Sequence, residues 1–190
     1  MNIAIFASGS GTNAQRIIEY FSENPEITVA LVLCNKQDAF VLQRAEKLNV
    51  PSFVFSSKEL KNTDIIDKKL EEYKIDFIVF AGFLLMMPLR LINKFPERII
   101  NIHPALLPKY GGLGMYGEYV HKAVIAAGDT ESGISIHFVN ENYDEGNIIF
   151  QARCNVLKND TPETLAASIH ELEYKYYPQI IEKVIKEVPF

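Results

Sequence analysis

The chain has 190 residues, of which 48% are apolar and 23% are charged, the composition of a globular protein with a substantial core. Its net charge of −5 disfavours a nucleic-acid partner, which would require a basic surface, and no apolar run reaches the ~20 residues that span a bilayer. These properties predict a single domain over residues 1–190 in the cytoplasm, a monomer or homodimer with small-molecule ligands and no membrane partner.

The first half of the chain alternates between strand-like and helical segments. Short apolar runs predict five strands, at Asn2–Ala7, Ile27–Leu33, Ser52–Phe55, Ile75–Phe80 and Arg98–Ile102. Helical spacing of apolar residues predicts three helices, at Ala14–Phe21, Ala39–Leu48 and Asp64–Tyr73. We expect Asn62 or Thr63 to cap the third of these helices. Strands that alternate with helices predict parallel pairing through right-handed crossovers.

The second half departs from this alternation. After a predicted helix at Tyr116–Ala127, the strand-like stretches Gly133–Val139 and Asn147–Val156 follow without a helix between them, so we expect them to pair antiparallel. Thr161 should cap a last helix that begins at Pro162, and Pro178 should kink or break that helix. The predicted fold is α/β, a doubly wound, mostly parallel but mixed sheet with helices on both faces, Rossmann-like in its topology.

A glycine-rich loop, Gly9-Ser-Gly11-Thr12-Asn13-Ala14, connects the first strand to its helix. Glycines and the amides of a helix N-terminus suit an oxyanion such as a phosphate. The spacing also fits the dinucleotide fingerprint, but that fingerprint expects an acid at the end of the second strand, where Asn35 follows Cys34. A mononucleotide phosphate therefore fits better than NAD, and a turn without ligand is the simpler alternative.

A second candidate site lies in Asn101-Ile-His103-Pro104, at the end of the fifth strand. Alternation along a strand places Asn101 and His103 on one side. A carboxamide can donate to an oxyanion, and an imidazole can exchange a proton near neutral pH. A carboxylate from a later loop, Asp144 or its neighbour Glu145, would raise the pKa of the imidazole if the loop folded back. Spacing does not separate these two acids, and purely structural roles remain the alternative.

The other histidines and the two cysteines show no pattern of their own. His121, His137 and His170 lack metal-ligand spacing, so we predict no metal site. Cys34 and Cys154 lie in unlike contexts and predict no disulfide framework. The peptide bond between Leu107 and Pro108 is a candidate for the cis form.

Several motifs together resemble the folate-dependent formyltransferases. They cover nearly the whole chain: Ser8–Asn13, Val79–Phe83, Ile100–Tyr110, Gly133–Val139, Tyr143–Gly146 and Tyr177-Pro178. The stretch from Asn101 to Pro108 is the most specific for that family, and the Gly-Thr-Asn loop and short length are similar to its members that act on glycinamide ribonucleotide. The resemblance implies transfer of a formyl group from 10-formyltetrahydrofolate, as co-substrate and without a metal, to the amine of glycinamide ribonucleotide in purine biosynthesis.

The resemblance also implies roles for individual residues. The catalytic residues would be Asn101, His103 and Asp144. Those that hold the ribonucleotide and its phosphate would be Gly11, Thr12, Asn13 and Glu173. Those that form the folate pocket would be Leu84, Leu85, Met86, Met87, Asn101, Val139, Asn140, Glu141 and Asp144. Residues 1–100 would then form a nucleotide-binding and phosphate-binding half, and residues 101–190 a catalytic and folate-binding half.

One residue and one loop differ from the family pattern. Leu85 stands where family members often carry Arg. The stretch Gly111–Gly117 is longer than the usual form, and it is either a mobile lid or a variant connection.

Other interpretations of the function compete with this one. They are another folate-dependent N-formyltransferase, a formyltetrahydrofolate hydrolase and a non-catalytic nucleotide-binding module.

Overall fold

A seven-stranded mixed sheet with helices on both faces forms the fold. The computed structural model describes residues 1–187. The strands are β1 (Asn2–Ala7), β2 (Thr28–Cys34), β3 (Ser52–Val54), β4 (Phe77–Phe80), β5 (Ile99–His103), β6 (Glu131–Phe138) and β7 (Ile148–Asn155). The helices are α1 (Thr12–Phe21), α2 (Phe40–Lys47), α3 (Ser57–Asn62), α4 (Ile65–Glu72), α5 (Leu89–Lys94), α6 (Glu118–Ala127) and α7 (Pro162–Glu187).

The sheet has the strand order β3-β2-β1-β4-β5-β6-β7, and its topology confirms the predicted fold class. Neighbouring strands from β3 to β5 pair parallel, whereas β6 pairs antiparallel with both β5 and β7. The chain winds outward from β1 in one direction and from β4 in the other. Between them the loops after β1 and β4 diverge and leave a crevice, where ligands bind in sheets of this kind.

Two hydrophobic cores lie on the two faces of the sheet. Alternate residues of β1 point to opposite sides: Ile3 and Ile5 pack with α1, α2 and α7, whereas Ala4 and Phe6 pack with α3, α4 and α5. Burial on both faces explains why this strand is a continuous apolar run. Within residues 1–187 there is no helix that is both long enough and apolar enough to span a membrane.

Two short helices were missing from the sequence-based prediction, and one predicted cap was wrong. The segments are α3 and α5, each of six residues. Because α3 extends to Asn62 and Thr63 follows as its C-cap, neither residue is the N-cap of α4. That position belongs to Asp64, which makes no side-chain capping bond.

The last helix begins as predicted and continues through its proline. Thr161 accepts a hydrogen bond from the Thr164 amide at 3.3 Å, and the helix runs without interruption to Glu187, so a break at Pro178 was wrong. Proline removes one backbone hydrogen bond from a helix. Here a buried stripe on both sides of Pro178 keeps the helix on the sheet: Leu165, Ile169, Glu173, Tyr177, Ile181 and Ile185.

Tyr177 ties this helix to the centre of the sheet. Its side chain is fully buried, and its hydroxyl donates to the carbonyl of Phe80 at 2.8 Å. Tyr177→Phe leaves that carbonyl without its side-chain partner, so we expect the free energy of unfolding to fall by about 1–2 kcal/mol. Urea denaturation measures this change. The matched variant Tyr116→Phe removes the hydroxyl of a residue that is 42% exposed and should change stability by less than about 0.5 kcal/mol; equal effects of the two variants would contradict the prediction.

Candidate active site

A cavity of about 430 Å³ opens at the carboxyl ends of β1, β4 and β5. Its wall on one side is the glycine-rich loop Gly9–Asn13, and β5 contributes Asn101 and His103. Residues from α6 and α7, which pack against each other, close another side with His121, His170 and Glu173. The cavity therefore brings the predicted phosphate loop and the predicted catalytic residues into one space.

The structure brings Asn101, His103 and Asp144 together. The Asn101 amide nitrogen lies 3.4 Å from Oδ1 of Asp144, and Nδ1 of His103 lies 3.4 Å from Oδ2 of the same carboxylate. The amide of Gly112 donates to Oδ2 at 3.0 Å. Asp144 adopts a left-handed backbone conformation with φ of 57°, which Asp tolerates better than most residues. Glu145 is exposed, so the fold distinguishes the two acids that spacing could not.

His103 lies between two hydrogen-bond acceptors. Its Nε2 is 2.7 Å from the carbonyl of Tyr110, which fixes a proton on that nitrogen because a carbonyl only accepts, and its Nδ1 faces Asp144. The ring is only 3% exposed. Burial lowers the pKa of His103 below its ordinary value of 6.5, and it outweighs the opposing effects of Asp144 and the Tyr110 carbonyl. The expected contribution of Asp144 is therefore present, but burial sets the direction of the net shift in the pKa of this imidazole.

His137 is a site residue that the sequence-based prediction missed. It lies opposite Asn101 in the antiparallel pair of β5 and β6. Its Nε2 is 3.1 Å from the Asn101 amide nitrogen, while its Nδ1 is 2.8 Å from the Phe138 carbonyl. A proton on Nδ1 satisfies both contacts, so Nε2 accepts from the amide and fixes its orientation. Burial alone would raise the pKa of Asp144, but contacts with His137, His103 and the Gly112 amide lower it below its ordinary value.

The glycine-rich loop is held tightly at the start of α1. Gly11 has a φ of 74°, and a Cβ there would lie 2.5 Å from the side chain of Val41, so only glycine fits. The Ser8 hydroxyl donates to the Asn35 side chain at 2.6 Å and accepts from the Leu84 amide at 3.1 Å. Asn35, which stands where the dinucleotide fingerprint has an acid, thus connects through Ser8 to the loop after β4.

Glu173 connects the glycine-rich loop to α7. Its carboxylate accepts from the side-chain amide of Asn13 at 2.8 Å and contacts Nδ1 of His170 at 2.9 Å, while Glu173 itself is only 5% exposed. The hydrogen bond to Glu173 raises the pKa of His170 above 6.5. Among residues 1–187, no Lys or Arg lines this cavity, so histidines are its only titratable cations.

A smaller cavity of about 60 Å³ adjoins the first, and its wall is about half apolar and half polar. It contains most of the predicted folate pocket: Leu85, Met86, Met87, Asn101, Val139, Asn140 and Asp144. Leu84 lines the larger cavity instead, and Glu141 is exposed and lines neither. The two cavities share Phe83, Asn101, Tyr143 and Asp144.

The loop Gly111–Gly117 covers one side of the larger cavity. Three of its glycines have positive φ angles, Gly112, Gly114 and Gly117, and Leu113 between them is 83% exposed. The peptide bond between Leu107 and Pro108 is cis, as expected. In the described part of the chain, no cluster of three or more His, Cys, Asp or Glu side chains could hold a metal ion.

The doubly wound sheet carries two adjoining cavities at the carboxyl ends of its strands, the place where α/β proteins of this kind bind ligands. Residues 1–181 match the model of the formyl transferase family, and the chain belongs to that family. It is 41% identical to the chloroplastic phosphoribosylglycinamide formyltransferase of Arabidopsis thaliana, over 97% of this chain and 65% of that protein. The chain thus spans slightly less than two thirds of that relative. It is 39% identical to the phosphoribosylglycinamide formyltransferase of Haemophilus influenzae, over 95% of this chain and 85% of that protein.

The solved structures agree with these sequence relatives. The crystal structure of phosphoribosylglycinamide formyltransferase from Anaplasma phagocytophilum superimposes with a TM-score of 0.89 at 30% identity, over 98% of this chain and 88% of that chain. The shared fold therefore extends along nearly the whole chain.

Proposed function

We propose that this protein transfers the formyl group of 10-formyltetrahydrofolate to the amine of glycinamide ribonucleotide. The products are formylglycinamide ribonucleotide and tetrahydrofolate, in purine biosynthesis. The observation that carries the proposal is the junction of two cavities at Asn101 and Asp144, where a donor in one cavity would meet an acceptor in the other. The names of the relatives support this choice of substrates.

The two substrates would enter from opposite sides of this junction. Gly11, Thr12 and Asn13 would hold the ribonucleotide phosphate with the free amides at the start of α1, and Glu173 would contact the same molecule. The smaller cavity would hold the pterin ring against Leu85–Met87 and the loop that begins at Val139. Orienting two reactants in this way supplies much of the rate enhancement, with effective molarities of ~10⁵ M or more.

The chemistry would proceed through a tetrahedral intermediate. The amine nitrogen forms a bond to the formyl carbon, and the carbonyl π electrons move to its oxygen, which becomes an oxyanion. The side-chain amide of Asn101 donates one hydrogen to Nε2 of His137. Its other hydrogen points to Asp144 at a distance that is long for a hydrogen bond, so this second hydrogen is available to the oxyanion. Such a donor typically contributes ~10²–10³ in rate.

The proton of the attacking amine would pass through His103. Because burial keeps this ring neutral in the free protein, its Nδ1 can accept the proton, and the cation then lies between the Tyr110 carbonyl and the Asp144 carboxylate. The oxyanion next collapses, the bond from the formyl carbon to N10 of the folate breaks, and N10 takes the proton from His103. The transferred formyl group is then an amide of the ribonucleotide.

An absorbance assay for tetrahydrofolate release tests the proposal. We expect release from 10-formyltetrahydrofolate only when glycinamide ribonucleotide is present. Release of tetrahydrofolate and formate without the ribonucleotide would indicate the hydrolase, and transfer to a different amine would indicate another N-formyltransferase. No turnover together with NAD binding would support the non-catalytic module, so each alternative gives its own result.

The remaining parts of the proposal concern organisation. We propose that the reaction uses small molecules alone, with no metal or nucleic acid, and takes place in the cytoplasm. The protein would act as a monomer or a homodimer. The division into a nucleotide-binding half (1–100) and a catalytic half (101–190) stays a prediction, and Glu173, which belongs to the second half, would serve the ribonucleotide.

Affinity for the ribonucleotide should fall as His170 loses its proton. His170 is connected to the glycine-rich loop through Glu173, and its raised pKa means that it is charged below that pKa and neutral above it. We expect the affinity to fall about tenfold as the pH rises through that raised pKa, the loss of roughly 1.4 kcal/mol from one charged contact. Isothermal titration calorimetry measures it. His170→Lys should remain constant over this range, and an equally steep fall in His170→Lys would contradict the prediction.

A further inference from the structure

Arg44 is an arginine of α2 that supports the glycine-rich loop from outside the cavity. Its Nε donates to the carbonyl of Ser10 at 2.8 Å, and its Nη1 donates to the side-chain oxygen of Gln15 on α1. Arg44 is half-buried and takes part in none of the ion pairs within residues 1–187. A guanidinium stays charged at every physiological pH. Its partners are therefore two neutral oxygens, and no acid at ion-pair distance offsets its positive charge.

The start of α2 holds two successive carbonyls of the glycine-rich loop. The Val41 amide donates to the carbonyl of Gly9 at 3.2 Å, and Arg44 holds the carbonyl of Ser10. Both peptides are trans, and in a planar trans peptide the C=O and N–H groups point in opposite directions. The amides of these two peptides, which belong to Ser10 and Gly11, therefore point away from α2.

These two amides are available to a ligand. Ser10 and Gly11 line the larger cavity, and within residues 1–187 neither amide donates to a backbone carbonyl. Successive backbone amides that point to one side form anion-binding concavities in proteins. The loop cannot retreat towards α2, because the space behind Gly11 is filled by Val41. The contacts with α2 therefore hold the loop in a form that suits an anion.

The positive charge of Arg44 adds to this arrangement. Charge-assisted hydrogen bonds are roughly twice as strong as neutral ones, and a bond of this kind polarises the peptide so that the amide hydrogen at its other end is a better donor. Among residues 1–187, no Lys or Arg lines the larger cavity. A phosphate dianion in this cavity would thus contact no permanent cation, and Arg44 supplies one on the far side of a single peptide group.

We propose that Arg44 is a positioning residue for the substrate phosphate. It fixes the peptide between Ser10 and Gly11 with its amide towards the cavity, and it contributes positive charge there without touching the ligand. This inference rests on the proposed function, which places the phosphate of the ribonucleotide at the glycine-rich loop. It assigns Arg44 to phosphate affinity and not to the chemical step, so loss of Arg44 raises KM for the ribonucleotide and leaves kcat unchanged.

Steady-state kinetics and calorimetric titration of Arg44→Met test the inference. The variant removes the donor and the charge at similar side-chain length. We expect KM and Kd for glycinamide ribonucleotide to rise about tenfold, as for one charge-assisted hydrogen bond, with kcat within about twofold of wild type. Affinity for the dephosphorylated riboside and for tetrahydrofolate should not change. Lys47→Met, which removes a positive charge from an exposed position of the same helix, is the matched control and should bind the ribonucleotide normally.

Two further variants make the outcomes decisive. Arg44→Lys keeps a donor and the charge and should recover most of the affinity, whereas Arg44→Gln loses the charge and should also bind the ribonucleotide more weakly than wild type. The inference is wrong, while the proposed function stands, if Arg44→Met and Arg44→Gln bind the ribonucleotide as well as wild type does. It is equally wrong if the riboside loses as much affinity as the ribonucleotide, or if Lys47→Met loses as much as Arg44→Met. A wild type that binds no ribonucleotide at all overturns both.

Discussion

His103→Ala should lower kcat for formyl transfer about 10³-fold and change KM for either substrate by much less. In the proposed mechanism the variant lacks the group that accepts the amine proton and returns it to N10, and general acid–base catalysis of this kind contributes typically ~10²–10⁴ in rate. Steady-state kinetics with glycinamide ribonucleotide and 10-formyltetrahydrofolate measures the effect. Calorimetric binding of each substrate separates lost chemistry from lost affinity.

The control for His103→Ala lies on the same strand. Ile102→Val changes an apolar neighbour of the ring that is buried in the core and should retain most of its kcat at a cost of about 1 kcal/mol in stability. A near-normal kcat in His103→Ala, with the fold intact by circular dichroism, would remove His103 from the proposed mechanism.

Asp144→Asn should lower kcat about 10²-fold and move the acidic limb of its pH profile to lower pH. His103 must be neutral to accept a proton, so the activity rises with pH through the pKa of His103, which lies below 6.5. The Asp144 carboxylate raises that pKa against the effect of burial. Without the negative charge the pKa falls further, so the limb shifts in the acidic direction even as the plateau decreases.

Measurement of kcat from pH 5 to pH 8 distinguishes this role from a purely structural one. Loss of loop structure alone would lower the plateau and leave the limb in place. Glu145→Gln, the exposed neighbour, is the matched control and should keep both the plateau and the limb of wild type. A limb that stays unchanged in Asp144→Asn would show that the carboxylate does not act on His103.

Much of the fold was predictable because buried strands and amphipathic helices leave periodic patterns. The apolar run of β1 predicted a buried strand in the parallel part of the sheet. The absence of a helix between β6 and β7 predicted that these two strands pair antiparallel. The helices α3 and α5 are too short for helical periodicity to distinguish them from loops. One signal was nevertheless present: Ser56 and Glu59 form a capping box at the start of α3, and this spacing is visible in the sequence.

The candidate site was predictable where its residues share one element. Asn101 and His103 stand two apart on β5, and strand alternation places them on the same side. His137 could have been found only from the register of β6 against β5, and His121 only from the packing of α6. The effect of Asp144 on the pKa of His103 was predictable from a neighbouring acid, whereas the depth of burial, which here has the larger effect, was not.

The hydrogen bond from Asn13 to Glu173 has a consequence for how tightly the loop would hold the phosphate of the proposed substrate. A surface loop rich in glycine and serine would normally sample many conformations, and a ligand that immobilised it would lose affinity to the entropy of ordering. Here an acid from the final helix already restrains the loop in the empty protein, by a contact between residues 160 positions apart in sequence. A phosphate bound as proposed would therefore lose less affinity to the ordering of this loop, and the sequence that sets its affinity would extend to the opposite end of the chain.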